Sequence, residues 1–112
     1  MPDRKGAERR RHPRVNANIP VEIRCATNQY PSRAVTEEIS LCGCYVKTMF
    51  TLDLGVKLDL TLWLKDQQIQ GVAVVATRHP QVGNGFEFIQ MDPQHRLKLN
   101  EYLSTLERES AQ

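Results

Sequence analysis

From Ile19 to Cys25 apolar and polar side chains alternate, with Ile19, Val21, Ile23 and Cys25 on one parity and Pro20, Glu22 and Arg24 on the other. A period of two over such a run predicts a strand with one buried face. The pattern returns at Leu58, Leu60, Leu62 and Leu64, which alternate with Asp59, Thr61 and Trp63. Trp63 fits either the core or an exposed partner surface. Residues 33–39 and 44–49 predict two further strands, separated by the break Ser40-Leu41-Cys42-Gly43, and 28–32 reads as a turn. Asp66-Gln67 reads as the hinge of a hairpin into a strand over 69–78. Pro80 to Gly85 reads as another turn, and Phe86, Phe88 and Ile89 fall in a last strand. The period then changes. Asp92 is placed to cap a helix with Pro93 at its first position. Leu99, Leu103 and Leu106, with Tyr102, share one stripe of an amphipathic helix over 93–108. Six or seven short strands and a terminal helix predict a small barrel or sandwich with the helix packed on it.

Composition narrows the class without naming a function. At 112 residues, 40% hydrophobic and 25% charged, the chain fits one ordinary globular domain. Its longest apolar-leaning stretch, Val72 to Ala76, is too short to cross a bilayer. The opening Met-Pro-Asp-Arg-Lys lacks the apolar segment of a secretory signal, so a cytoplasmic location with no membrane partner is expected. Three cysteines suit reduced thiols better than a disulfide framework. Cys42-x-Cys44 has no second pair, and His12, His79 and His95 are scattered, so no metal site is expected. Both cysteines read as small, half-buried strand residues. His79 and Cys44 could be imagined as a base and nucleophile, but nothing nearby in sequence supplies an orienting acid or an oxyanion site. Catalysis is not expected.

Charge is distributed unevenly. Residues 1–14 hold six basic and two acidic side chains, a net +4, while the remainder holds nine basic and eleven acidic ones, a net −2. Residues 1–14 show no periodicity, and Pro13 disfavours helix, so a mobile arm is expected. Arg9, Arg10, Arg11 and Arg14 lie within six residues. Arginine offers paired donors that match phosphate oxygens and the O6/N7 edge of guanine. The arm is then either a solvated basic tail or a grip on an anion. Nucleic acid is a poor candidate for that anion, because the acidic body offers no second basic face to follow a backbone. A second segment, Glu37-Glu38-Ile39-Ser40-Leu41-Cys42-Gly43, places a carboxylate and a hydroxyl two residues apart, on one side of an extended chain. A carboxylate can accept both donors of guanine's N1–H and N2–H₂ edge, and serine can add one bond. By itself the segment also fits a strand end with a β-turn.

Taken together the two segments resemble the PilZ domain family, bacterial receptors for cyclic di-GMP. Arg10-Arg11-His12-Pro13-Arg14 is similar to the family's Arg-x-x-x-Arg. Glu38-Ile39-Ser40-Leu41-Cys42-Gly43, beginning 24 residues after Arg14, is similar to its (Asp/Asn)-x-Ser-x-x-Gly. Gly83-Asn84-Gly85-Phe86 resembles its late Gly-x-x-Phe strand. The resemblance implies an all-β fold: a six-stranded antiparallel barrel, of Greek-key or split type, with a C-terminal α-helix. The flexible basic arm would be 1–14, the barrel and helix 15–108, and 109–112 a frayed tail. It implies no enzyme and no cofactor, with cyclic di-GMP as a ligand and a separate protein effector as the reader of the signal. Arg10 and Arg14 would grip guanine edges and phosphates, Arg11 would add charge or a stacking surface, and Ser40 would hydrogen-bond the ligand. Gly43 would keep the turn tight and the floor open. An arginine at the position of Arg9 is associated in the family with two stacked ligand molecules instead of one. Arg78 could add a contact at the mouth of the site, or be a surface residue at a strand end. Glu38 departs from the family's Asp or Asn. Its extra methylene moves the carboxylate by about 1.5 Å, so weaker affinity is expected. A monomer is expected, because the helix has a single apolar stripe to place on the barrel. Two other readings remain: a PilZ-fold interaction module with weakened or lost nucleotide binding, and a basic-armed nucleic-acid-binding barrel.

Overall fold

The computed structural model of this chain describes residues 13–25, 31–48, 50 and 52–110. Among the described residues seven strands precede one helix: β1 (Val15–Asn16), β2 (Pro20–Cys25), β3 (Ser32–Ile39), β4 (Gly43–Lys47), β5 (Lys57–Leu64), β6 (Gln67–His79), β7 (Gly83–Met91) and α1 (Pro93–Ser110). All pairings are antiparallel. The order is β1-β3-β2-β5-β6-β7-β4, and a further β3–β4 pairing closes β2 to β7 into a six-stranded barrel. β1 is an extra strand, paired with Ile39 and Glu38 at the end of β3.

The alternation read from the sequence becomes the barrel interior. Leu58, Leu60, Leu62 and Leu64 of β5 are buried with Val21, Ile23 and Cys25 of β2. Ile39, Val46, Ile69, Ala73, Val75 and Phe86 complete that layer from the other strands. Trp63 lies on the outer surface, half-buried, with the Arg33 guanidinium 5.9 Å above its ring, a cation–π arrangement. The β5–β6 hairpin turns on Lys65-Asp66, one residue earlier than expected, with Lys65 at φ 50° as a primed two-residue turn requires.

Asp92 caps the helix: its Oδ1 accepts from the Gln94 amide at 2.9 Å and its carbonyl from Arg96 at 2.9 Å. Leu99 and Leu103 are buried against the barrel, where α1 meets β6 and β1. The Gln70 amide donates to His95 Nδ1 at 3.1 Å and ties the first turn to β6. The helix runs to Ser110 instead of stopping at 108, with Arg108 in its last turn where a cation meets the helix dipole favourably. No helix among the described residues is long and apolar enough to cross a membrane.

Of three register shifts among the described residues of the sheet, one leaves Ile89 of β7 as an extra residue. The other two decide which residues reach the outer face of β3 and the end of β6. In β3, Thr36 pairs with Val46 facing inward, but Glu38 pairs with Tyr45 facing outward, so Glu37 is the extra residue of a bulge. In β6, Val75 pairs with Phe86 inside and Thr77 with Gly85 outside, so Ala76 is a second bulge. A bulge inserts one residue and reverses the parity beyond it. Without it, the spacing from buried Thr36 and Val75 would send Glu38, Thr77 and His79 to the interior.

Candidate functional site

The outer faces of β3, β4, β7 and the end of β6 enclose an open cavity of about 600 Å³, within the range of small-molecule sites. Arg14, just ahead of β1, stands at one side. Its Nη1 lies 3.6 Å from Glu38 Oε1, and Asn16 of β1 pairs with Glu38 in the sheet, which fixes that approach. Both side chains are partly exposed, so the pair contributes little to stability. Glu37, the extra residue of the bulge, meets Lys47 Nζ at 3.0 Å. Glu87 of β7 completes the acidic lining. The described residues of the cavity thus bring three carboxylates and one guanidinium.

Ser40 and Gly43 bracket the β3–β4 turn. The Ser40 amide donates to the Gly43 carbonyl at 2.8 Å, and Ser40 Oγ accepts from the Cys42 amide at 3.0 Å. The hydroxyl has two lone pairs and one proton, so the turn uses a single acceptor position. The turn is tied on both sides: the Phe88 amide donates to the Cys42 carbonyl at 2.8 Å, and Arg96 Nη1 of α1 to the Leu41 carbonyl at 3.3 Å. Gly43 has no positive φ; a tight turn conformation is not what requires glycine here. A Cβ at this position would collide with the Phe86 carbonyl oxygen and come within 3.1 Å of Glu87 Cα. Glycine is needed for the close approach of β4 to β7.

Arg14, Glu38, Ser40 and Gly43 therefore line one cavity. Arg9, Arg10 and Arg11 lie outside the described residues. Arg78 sits apart from this lining, exposed, with Nη1 3.4 Å from Asp53 Oδ1. The far wall was not read from the sequence: Tyr45 and His79 face the cavity, with Tyr45 Oη 2.9 Å from His79 Nδ1. A signal for Tyr45 existed, since it lies two residues after Gly43 in a strand and so shares its face.

His79 contacts Tyr45, and Cys44 points into the core, where burial pushes its thiol up to about 12. Among the described residues no three metal-ligating side chains cluster. Cys42 is exposed on the turn, contrary to the half-buried strand position expected for it, while Cys44 is buried in β4. Alkylation at pH 8 should modify Cys42 first and Cys44 only after unfolding, because the thiolate is the reactive form. Peptide mass mapping over time checks this, and early modification of Cys44 would contradict its burial.

Comparison with curated protein sequences finds no match. By structure, the chain is similar to the Bacillus subtilis inhibitor of motility MotI/DgrA, with TM-score 0.81 and 19% identity, over 92% of this chain and 53% of that one. The chain spans about half the length of that protein. It is similar to the PilZ domain of YcgR from Escherichia coli, solved with c-di-GMP, with TM-score 0.74 and 18% identity, over 91% and 94% of the two chains. The PilZ domain of CeSA from a cellulose-synthesizing bacterium gives TM-score 0.68 and 23% identity, over 85% and 98%. These likenesses concern the fold. In sequence, the PilZ domain model matches residues 8–105, from the arginine cluster to the terminal helix, and the chain belongs to that family.

Proposed function

We propose that this chain is a cytoplasmic sensor that binds cyclic di-GMP in the cavity between Arg14 and the Ser40–Gly43 turn and relays its occupancy to a protein partner. The observation that carries the reading is the meeting of the two motifs: Arg14 lies 3.6 Å from Glu38, and Ser40 and Gly43 line the same cavity. The presence of c-di-GMP on the similar YcgR domain supports it. In this reading Glu38 accepts from a guanine edge, Ser40 donates its remaining proton, and Arg14 turns from Glu38 to a phosphate or guanine of the ligand. The acidic lining explains why the arm is needed. A dianionic ligand entering a cavity with three carboxylates requires more positive charge than Arg14 supplies, and Arg9, Arg10 and Arg11 provide it. Arg9 gives the arm the charge to hold a second, stacked ligand molecule. Binding then replaces an Arg–Glu pair on this face by a bound dinucleotide, a change of shape and charge that a partner can read.

Calorimetric titration with cyclic di-GMP tests the proposal. The wild-type protein is expected to bind, and Arg14→Ala to bind at least about tenfold more weakly through loss of a charge-assisted contact. Glu38→Asp should bind about two- to fivefold more tightly, because the shorter side chain freezes one torsion fewer. It also releases Arg14 from its pairing. A wild-type protein that does not bind overturns the proposal and favours an interaction module without nucleotide.

A further inference from the structure

We infer that Tyr45 and His79 form a preorganised aromatic wall on which a purine base of the ligand stacks, an inference that rests on the reading of the cavity as a cyclic dinucleotide site. Tyr45 lies on β4 and His79 on β6, with β7 between them: Tyr45 pairs with Gly85, and His79 with Gly83. Neither glycine offers a side chain, so the phenol can lie across β7 and reach the imidazole. A Cβ on Gly83 would stand 2.9 Å from Tyr45 Oη and 3.0 Å from its Cε2, and one on Gly85 3.6 Å from Cδ1. The two rings are 5.8 Å apart, tilted by 50°, and joined by the 2.9 Å hydrogen bond.

This arrangement is not one that the core demands. Tyr45 is only half-buried, His79 is exposed, and both line the cavity. Glycine within a strand weakens it, and here, besides letting the Val46 carbonyl come within 2.5 Å of where a Gly83 Cβ would stand, it leaves room for an aromatic ring laid against the backbone. A ring held in place by a hydrogen bond loses little freedom when a flat ligand settles on it. Bases stack on aromatic side chains through faces that every purine has. The polar end of the wall adds direction. When the phenol donates to Nδ1, the imidazole proton resides on Nε2, a donor suited to guanine O6 or N7, or to a phosphate oxygen. The cavity then has two unlike sides: carboxylates, Arg14 and Ser40 for the polar edges of the ligand, and Tyr45 with His79 for a base face.

Titration of Tyr45→Ala, Tyr45→Phe and His79→Ala with cyclic di-GMP tests this, together with the aromatic NMR resonances of Tyr45 in the wild-type protein. Tyr45→Ala should weaken binding about tenfold, the loss of one base stack. Tyr45→Phe keeps the ring and loses its tether, so it should cost about two- to threefold. His79→Ala, which removes the tether together with the second ring and its Nε2 donor, should cost more, about five- to tenfold. The Tyr45 ring protons should move upfield on binding, which a purely structural residue would not show. If Tyr45→Ala does not fold, the ring shifts and the Tyr45→Phe titration carry the test. Binding by wild type with unmoved Tyr45 resonances and unchanged variant affinities overturns the wall and leaves the proposed function standing. If wild type does not bind at all, the proposed function falls and the wall falls with it.

Discussion

Replacing Gly43 by alanine is expected to destabilise the domain by about 3 kcal/mol, the upper end of ordinary overpacking costs, and to lower its melting temperature by roughly 15 °C. The new Cβ would meet the Phe86 carbonyl oxygen, the Phe86 carbonyl carbon at 3.0 Å and Glu87 Cα at 3.1 Å. All three are backbone atoms of β7, so no side chain can swing away. Relief requires β4 to move off β7, and β4 is the strand that closes the barrel against β3. The hydrogen bonds beside it, Phe88 amide to Cys42 carbonyl and Ser40 amide to Gly43 carbonyl, would lengthen with it. Gly55→Ala is the control: its Cβ meets nothing within 4 Å, but its φ is +84°, so it should cost about 1 kcal/mol of backbone strain. Urea titrations of both variants, followed by the fluorescence of Trp63, separate clash from dihedral. A Gly43→Ala shift no larger than that of Gly55→Ala would dismiss the steric account.

The barrel was legible wherever parity ran uninterrupted. β5 alternates without a break, and each of its leucines is at most 3% exposed. The helix was legible from Asp92-Pro93 and the stripe Leu99, Leu103, Leu106, although β1, only two residues long, carries no period to read. The site was legible only in part, for a physical reason. Its residues sit where parity fails, beyond the bulges at Glu37 and Ala76, and nothing in a linear pattern marks which residue becomes the extra one. Glu38 and Ser40 stand out by their spacing on one side of an extended chain, and motif resemblance adds the ligand. Tyr45 and His79 meet across 34 positions of sequence, through the register of three strands that no local signal specifies. The segment 80–85 departs from the turn its sequence predicts for a related reason. Glycines normally mark turns, but only 80–82 turn, while Gly83 and Gly85 belong to β7 and leave space for Tyr45.

Asn84, between those glycines, should prove as costly to replace: Asn84→Ala is expected to lose about 3 kcal/mol, the cost of unsatisfied polar partners with some cavity added. The residue is fully buried and faces inward beside Phe86. Its Oδ1 accepts from the Leu52 amide at 3.2 Å, and its Nδ2 donates to Thr48 Oγ1 at 2.8 Å and to the Phe50 carbonyl at 3.2 Å. The side chain thus does for the β4–β5 connection what strand pairing does elsewhere, holding it to the end of the barrel through both donors and the acceptor of one amide. Alanine leaves the Leu52 amide unpaired and the Thr48 hydroxyl and Phe50 carbonyl with only each other, 2.7 Å apart, so amide exchange at Leu52 should lose its protection first. Asn84→Asp sharpens the test, since an ionised carboxylate would face the Phe50 carbonyl directly, while the Thr48 hydroxyl already gives its proton to that carbonyl at 2.7 Å. Full burial and the facing Phe50 carbonyl raise the pKa of that new carboxyl above its unfolded value of about 3.9, although the Leu52 amide still donates to its other oxygen. The protonated form is therefore the one the fold tolerates, and stability relative to wild type should be best below about pH 4 and fall as pH rises from there. Urea midpoints at pH 4 and pH 7, each measured against wild type at the same pH, read the sign. A deficit that is equal at both, with Leu52 still protected in Asn84→Ala, would mean that the amide is not the clamp.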